Sequence, residues 1–247
     1  MRILLANPNT SETMTKLMVN EARRHCRQDT EIVGLTADFG VPYIATRSEM
    51  AIAGYALLDV LARHHQGYDA IIVGAFCQAL VPPAKELMPI PVIGIAEAGL
   101  RAAQIFGQRI AILGLGAPDR GANEAIITEL GLEPHIASIR RLPLSGTDLA
   151  GGQADAEAKV IEEAHKAVED DVADVLVFGG AAFAGMAERI ADRLPAPAIS
   201  PVPHAVALAE VAFKTGWRKA SKGPFSPPSP KEIRGLSDDL RAFFQSN

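Results

Sequence analysis

Asp69-Ala70-Ile71-Ile72-Val73-Gly74-Ala75-Phe76-Cys77-Gln78 reads as an acidic turn, four apolar residues and a loop of small and polar side chains. A strand with no polar face must be covered on both sides, which places it in a parallel sheet under helices. Ligands of such sheets sit beyond the carboxyl ends of the strands, so residues 74–78 are where chemistry is expected. Asp174-Val175-Leu176-Val177-Phe178-Gly179-Gly180-Ala181-Ala182 repeats the pattern, with Gly179 standing 105 residues after Gly74. Two such strand ends facing each other make one cleft.

Further landmarks recur in the same order. Arg2-Ile3-Leu4-Leu5 returns as Arg109-Ile110-Ala111-Ile112, 107 residues on. Met88-Pro89-Ile90-Pro91-Val92-Ile93 returns as Leu194-Pro195-Ala196-Pro197-Ala198-Ile199, 106 residues on. The fold expected is α/β: two pseudo-symmetric lobes, each a small parallel sheet flanked by helices, with the ligand cleft between them. Residues 1–97 plus 203–247 form the first lobe and residues 98–202 the second, because the helix starting near Pro203 corresponds to the one starting at Ala96. Helices are expected over 48–64, 119–130, 155–170 and 183–193. Residues 222–230 are too rich in proline for regular structure. A last amphipathic helix over 231–244 packs on the first lobe.

Hydrophobic residues make up 48% of the 247 and charged residues 21%, with a net charge of −5. That is ordinary for a globular chain. No basic run suggests nucleic acid as partner, and no stretch is apolar for long enough to span a bilayer. The chain runs from Met1 straight into a strand with no signal-peptide pattern. The expectation is a cytoplasmic protein with a small-molecule substrate and no nucleic-acid or membrane partner; a homo-oligomer stays open.

Two cysteines make no disulfide framework, and no Cys/His spacing suits zinc. Gly114-Leu115-Gly116 lacks the third glycine of a dinucleotide fingerprint, and there is no P-loop lysine. No metal, nucleotide or pyridoxal cofactor is expected.

Candidate site residues cluster at the strand ends. Asn7, Asn9 and Thr10 follow the first strand; they either build a turn and helix cap with Ser11 or cradle a carboxylate or amide at a helix start. Tyr43 and Arg47 lie in the loop before the second helix, where Arg47 either pairs with an acidic ligand or is solvated. Cys77 either fills a gap as a small hydrophobe or serves as base or nucleophile. His204 either caps a helix or acts as general base. Ala75, Phe76 and Gln78 from one loop and Gly180, Ala181, Ala182 and Phe183 from the other line the cleft. The small residues among them, with Gly74, favour an apolar substituent on the ligand.

Met1-Arg2-Ile3 with Asn7-Pro8-Asn9-Thr10-Ser11, the block Pro91-Val92-Ile93-Gly94-Ile95-Ala96-Glu97-Ala98, and residues 179–187 resemble the hydantoin and allantoin racemases of the aspartate/glutamate racemase superfamily. The resemblance runs to about Gly216. It implies the two-lobed fold, no cofactor, and two cysteines, one per lobe, alternating as acid and base beside a substrate α-carbon. It also places those cysteines at Ala75 and Gly180 of this chain, while Cys77 stands where such racemases carry a glycine. Their Thr-Thr pair falls on Gly114-Leu115, and their Ile-Asp-Gly turn on Ile199-Ser200-Pro201.

Three readings follow. The first is a cofactor-independent racemase or isomerase moving a proton at a carbon next to a carbonyl or carboxyl group, in a small hydantoin-, amino-acid- or related carboxylate-type compound, with Cys77 and His204 as acid–base groups. The second is a decarboxylase-type lyase, which shares the enolate but needs one proton donor. The third is a relative that binds a small molecule without reacting with it.

Overall fold

The computed structural model describes residues 1–116, 122–150 and 154–245. The first half runs β1 (Arg2–Asn7), α1 (Glu12–His25), β2 (Glu31–Thr36), α2 (Arg47–His64), β3 (Ala70–Val73), α3 (Val81–Leu87), β4 (Val92–Gly94) and α4 (Ile95–Phe106). The second runs β5 (Ile110–Leu115), α5 (Ala122–Leu130), β6 (Ile136–Leu142), α6 (Gly146–Ala150), α7 (Ala154–Glu169), β7 (Val175–Gly179), α8 (Met186–Ile190), β8 (Ala198–Ile199) and α9 (Pro201–Lys214), and α10 (Asp238–Ala242) closes the described chain.

The strands form two parallel sheets, β2-β1-β3-β4 and β6-β5-β7-β8. One order maps onto the other strand for strand, as the repeat requires. The most apolar strands lie at the two centres: β3 is buried along its whole length, as are Val175 to Phe178 of β7. A short 3-10 turn follows each, Gln78–Leu80 after β3 and Ala181–Phe183 after β7.

The halves are joined by exchange. Helix α4 leaves the first sheet, yet Ala96 and Leu100 pack with Ile110, Ile112 and Val177 of the second. Helix α9 leaves the second sheet, yet Val202, Ala205 and Val206 pack with Ile3, Leu5 and Ile72 of the first. The two helices cross where Gly99 meets Pro201, and a Cβ at Gly99 would lie 2.9 Å from Pro201 side-chain carbons and 3.1 Å from its Cα.

Two expected helices are shorter than the sequence suggested. Over 183–193, Gly185 turns left-handed at φ 77°. It separates the 3-10 turn from α8, and a second 3-10 turn, Ala191–Arg193, follows. Over 231–244, residues 231–236 are not helical, and Gly235 turns left-handed at φ 79°. The helix begins after Ser237, whose hydroxyl caps the N–H of Leu240 and donates to Asp59 at 2.6 Å. The expected helix start at residues 119–121 lies outside the described residues.

Candidate active site between the lobes

The β3 loop begins with a glycine for steric reasons. Gly74 N–H donates to the Ala6 carbonyl at 2.8 Å, and a Cβ there would meet Met18 Cε at 2.8 Å. Phe76 then reaches out of its own lobe and packs against the second-lobe cluster that holds Ile112 and Val177. Cys77 turns back among Ala75, Leu80 and Val81 of the first lobe. Gln78 is buried; its Nε2 donates to Glu97 at 3.1 Å and its Oε1 has no hydrogen-bond partner. Glu97 also accepts from Lys85 at 2.7 Å and from the N–H of Gly94 at 3.0 Å, closing the start of α4.

The β7 loop mirrors this. Ala181 and Ala184 pack against the first-lobe cluster of Ile3, Leu5 and Met18, while Phe183 stacks on Phe178 with ring centroids 5.3 Å apart. A Cβ on Gly179 would stand 3.4 Å from Phe76 Cε1, so the two strand ends face each other. At Gly180 an added Cβ would meet, among the described residues, only Phe183 Cδ2, at 3.9 Å. Met14 of α1 closes one side, with its Cε 3.1 Å from the place of a Cβ on Gly146.

At the end of β1, Asn7 is buried and saturated. Its Nδ2 donates to Asn9 Oδ1 (2.9 Å), Thr15 Oγ1 (2.9 Å) and the Ser11 carbonyl (3.1 Å), and its Oδ1 accepts from the N–H of Asn9. Asn9 Oδ1 also accepts from the N–H of Ser11 at 2.9 Å. Two donors on one oxygen fix the amide's orientation, and Asn9 Nδ2 is left without a partner among the described residues. Thr10 is held by its backbone, N–H to the Val41 carbonyl at 3.0 Å. Ser11 caps α1 through the N–H of Met14.

The titratable groups are dispersed. Burial pushes the Cys77 thiol up to about 11; backbone N–H groups of Ala79 and Leu80 pull the other way, and Glu129 of α5 adds to the rise. His204 Nδ1 lies 2.8 Å from the Ser200 carbonyl. A carbonyl can only accept, so Nδ1 is the donor in this bond, and Nε2 has no hydrogen-bond partner among the described residues. No hydrogen bond, ion pair or ring contact among the described residues joins His204 to Cys77. Tyr43 is half exposed, its Oη 3.8 Å from the place of a Cβ on Gly116. Arg47 is exposed in the first turn of α2, beside the Thr46–Glu49 capping box.

Two charged residues near the cleft escaped the sequence reading. Glu129 faces Cys77 from the other lobe, and burial raises its carboxyl above the ordinary range. Arg141 is the next-to-last residue of β6, with its side chain only 7% exposed. The signal for the latter was legible: Arg140 and Arg141 are consecutive in a strand, so one of them must point to each face.

Among the described residues no group of three or more His, Cys, Asp or Glu side chains is arranged to hold a metal, and no helix is long and apolar enough to cross a membrane.

Comparison with known proteins gives a consistent answer. The family model described as Asp/Glu/Hydantoin racemase matches residues 3–209. A hydantoin racemase of Pseudomonas sp. (strain NS671) is 26% identical over 244 residues, covering 97% of this chain and 97% of that protein. The structure of allantoin racemase from Klebsiella pneumoniae superposes with a TM-score of 0.91 at 29% identity, covering 97% of this chain and 98% of that one. Allantoin racemase from Pseudomonas fluorescens gives 0.90 at 29% identity, covering 95% and 100%.

Proposed function

The chain belongs to the Asp/Glu/Hydantoin racemase family, a family of isomerases, and we propose that it moves a proton at a carbon next to a carbonyl in a small hydantoin-, amino-acid- or related carboxylate-type compound. The observation that carries this is the facing of the two strand-end loops, with Phe76 against Gly179 and, among the described residues, only Phe183 near the place of a Cβ on Gly180. A planar carbanion held between two lobes can be approached from either side, which is what inversion of a stereocentre needs.

Cys77 is the proton donor in this reading. A thiol pushed up to about 11 is neutral at physiological pH, so it gives a proton rather than taking one. The thiolate left behind accepts from the N–H groups of Ala79 and Leu80. His204 takes the proton at Nε2. Asn9 Nδ2 and the N–H groups of Ala181 and Ala182 are the donors for the enolate oxygen, where preorganised dipoles do most of the work. Tyr43, Arg47, Phe76, Gln78 and Phe183 border the ligand, with Ala75 and Gly180 giving it room. The lobe division at 97/98 and 202/203 is kept in this proposal, with α4 and α9 as the exchanged helices. The cytoplasm is the compartment it assumes.

One observation favours the lyase as a second reading. The β7 loop carries no titratable side chain over residues 179–183, and a decarboxylation that passes through the same enolate needs only the single donor on the β3 loop.

The test is a panel of 5-substituted hydantoins, α-amino acids and aryl-substituted malonates in deuterated water. Deuterium uptake at the α-carbon with loss of optical activity supports the racemase, and release of carbon dioxide supports the lyase. Protein that is stabilised against heat by several of these compounds but transforms none of them rejects both.

A further inference from the structure

Consecutive arginines on β6 serve as controls for each other. Arg140 is saturated: its Nε binds Asp171 at 2.6 Å, Nη1 binds Glu163 at 3.1 Å, and Nη2 binds Asp171 at 3.0 Å and the Lys166 carbonyl at 3.2 Å. It is a structural cation on the α7 face. Arg141, on the opposite face, uses Nη2 alone, at 3.1 and 2.9 Å from the two carboxylate oxygens of Glu124. Nε and Nη1 have no partner among the described residues. The Arg141 side chain is 7% exposed and the Glu124 side chain 52% exposed, so a largely desolvated guanidinium is held by a solvated carboxylate through one nitrogen. Such a pairing is weak on the side of the anion, and it leaves a guanidinium edge suited to two parallel bonds with another carboxylate.

The position of this edge matters. Arg141 pairs in register with Gly114 of β5, and Gly114 pairs on its other side with Gly179 of β7. Arg141 therefore stands at the carboxyl end of the second sheet, two strands from the candidate reaction centre. From the first lobe Tyr43 approaches the same corner, with its Oη 3.8 Å from the place of a Cβ on Gly116 and within the field of Arg141.

We propose that Arg141 of the second lobe and Tyr43 of the first form a carboxylate-binding subsite at the mouth of the cleft, so that the ligand is a small carboxylate anion rather than a neutral ring. The inference rests on the proposed reading of the cleft and narrows it to one substrate class. Glu124 is the internal anion that the ligand displaces, and its exposure lets it swing into water at little cost.

The experiment is a pair of matched probes, phenylacetate and phenylacetamide, titrated by calorimetry into the full-length chain. The native protein is expected to bind the carboxylate at least ~10-fold more tightly than the amide, as a charge-assisted bidentate contact requires. Arg141→Gln brings the ratio near one. Tyr43→Phe lowers it ~3-fold. Glu124→Gln removes the competing anion and raises it several-fold, and this variant also loses the ion pair, so it reports on the subsite even if Arg141→Gln fails to fold. No preference in the native protein overturns the proposal. So does an unchanged ratio in folded Arg141→Gln, or a fall in Glu124→Gln. If neutral hydantoins exchange deuterium but the carboxylate preference is absent, the subsite is wrong and the racemase reading stands. If the preference is present and depends on Arg141 but no carbon acid reacts, the racemase reading is wrong and the subsite stands.

Discussion

In the first lobe the N–H of Arg2 donates to Asp69 at 2.7 Å; in the second, the N–H groups of Gln108 and Arg109 donate to Asp174 at 3.1 and 2.8 Å. The amino ends of the two sheets thus keep one bonding scheme, down to the acidic turn before each central strand. The carboxyl ends do not. The first lobe presents a saturated polar network around Asn7, a thiol at Cys77 and an amide at Gln78. The second presents glycine and alanine at 179–182, with Arg141 two strands away on β6. One end of each sheet repeats and the other diverges. In the proposal made above, that difference divides the labour: the first lobe supplies proton transfer and the second supplies space and an anion contact.

The comparison breaks most visibly if the lobes are forced apart. Gly99→Val puts a branched side chain against Pro201, backbone included, where a single Cβ is already at 2.9 Å. The expected loss is about 3 kcal/mol, in the range of overpacking, read as a fall in the urea midpoint. Gly180→Ala is the matched control in the β7 loop and should leave the midpoint within about 0.5 kcal/mol.

The thiol gives a smaller effect with a defined pH window. Burial raises the Cys77 pKa in the folded chain from 9.0 to about 11. Its contribution to stability is therefore whole below the unfolded value and is lost as the pH rises through the folded one. Between about pH 9 and 11 the native protein should lose about 2 kcal/mol more than Cys77→Ala does. Parallel stability curves for the two proteins would remove the buried, neutral thiol from the account.

The two asparagines separate scaffold from function. Asn7→Ala leaves several buried partners unsatisfied and should cost about 1–3 kcal/mol of stability. Asn9→Asp keeps the oxygen that Asn7 and Ser11 use and removes the outward donor. It should slow turnover about 10-fold with little change in melting temperature. Equal effects of both changes on turnover would mean that Asn9 also serves only the turn.

Much of this was legible in the chain. Two fully apolar strands, 105 residues apart and each preceded by an acidic turn, dictate two parallel sheets. The paired Pro-rich turns before β4 and β8 fix the lengths of the units. The left-handed turns at Gly185 and Gly235 were less legible, because a glycine's left-handed φ depends on what the next segment must reach. Asn7 and Asn9 look alike in sequence, and only the hydrogen-bond network separates the saturated one from the one with a free donor. Arg140 and Arg141 are a similar case: alternation says they diverge, but not which of them finds enough carboxylates.

The central claim is that the reacting proton comes from the first lobe, through Cys77. It is tested most directly by the initial rate of α-deuterium uptake into a single enantiomer of a reactive substrate from the panel, comparing the native protein with Cys77→Ala and with Cys26→Ala, which removes the thiol outside the cleft, at pH 7.5 by proton NMR. The account predicts that Cys77→Ala loses at least about 100-fold, as removal of a general acid does, while Cys26→Ala stays within about 3-fold. Full exchange activity in a folded Cys77→Ala protein would contradict it.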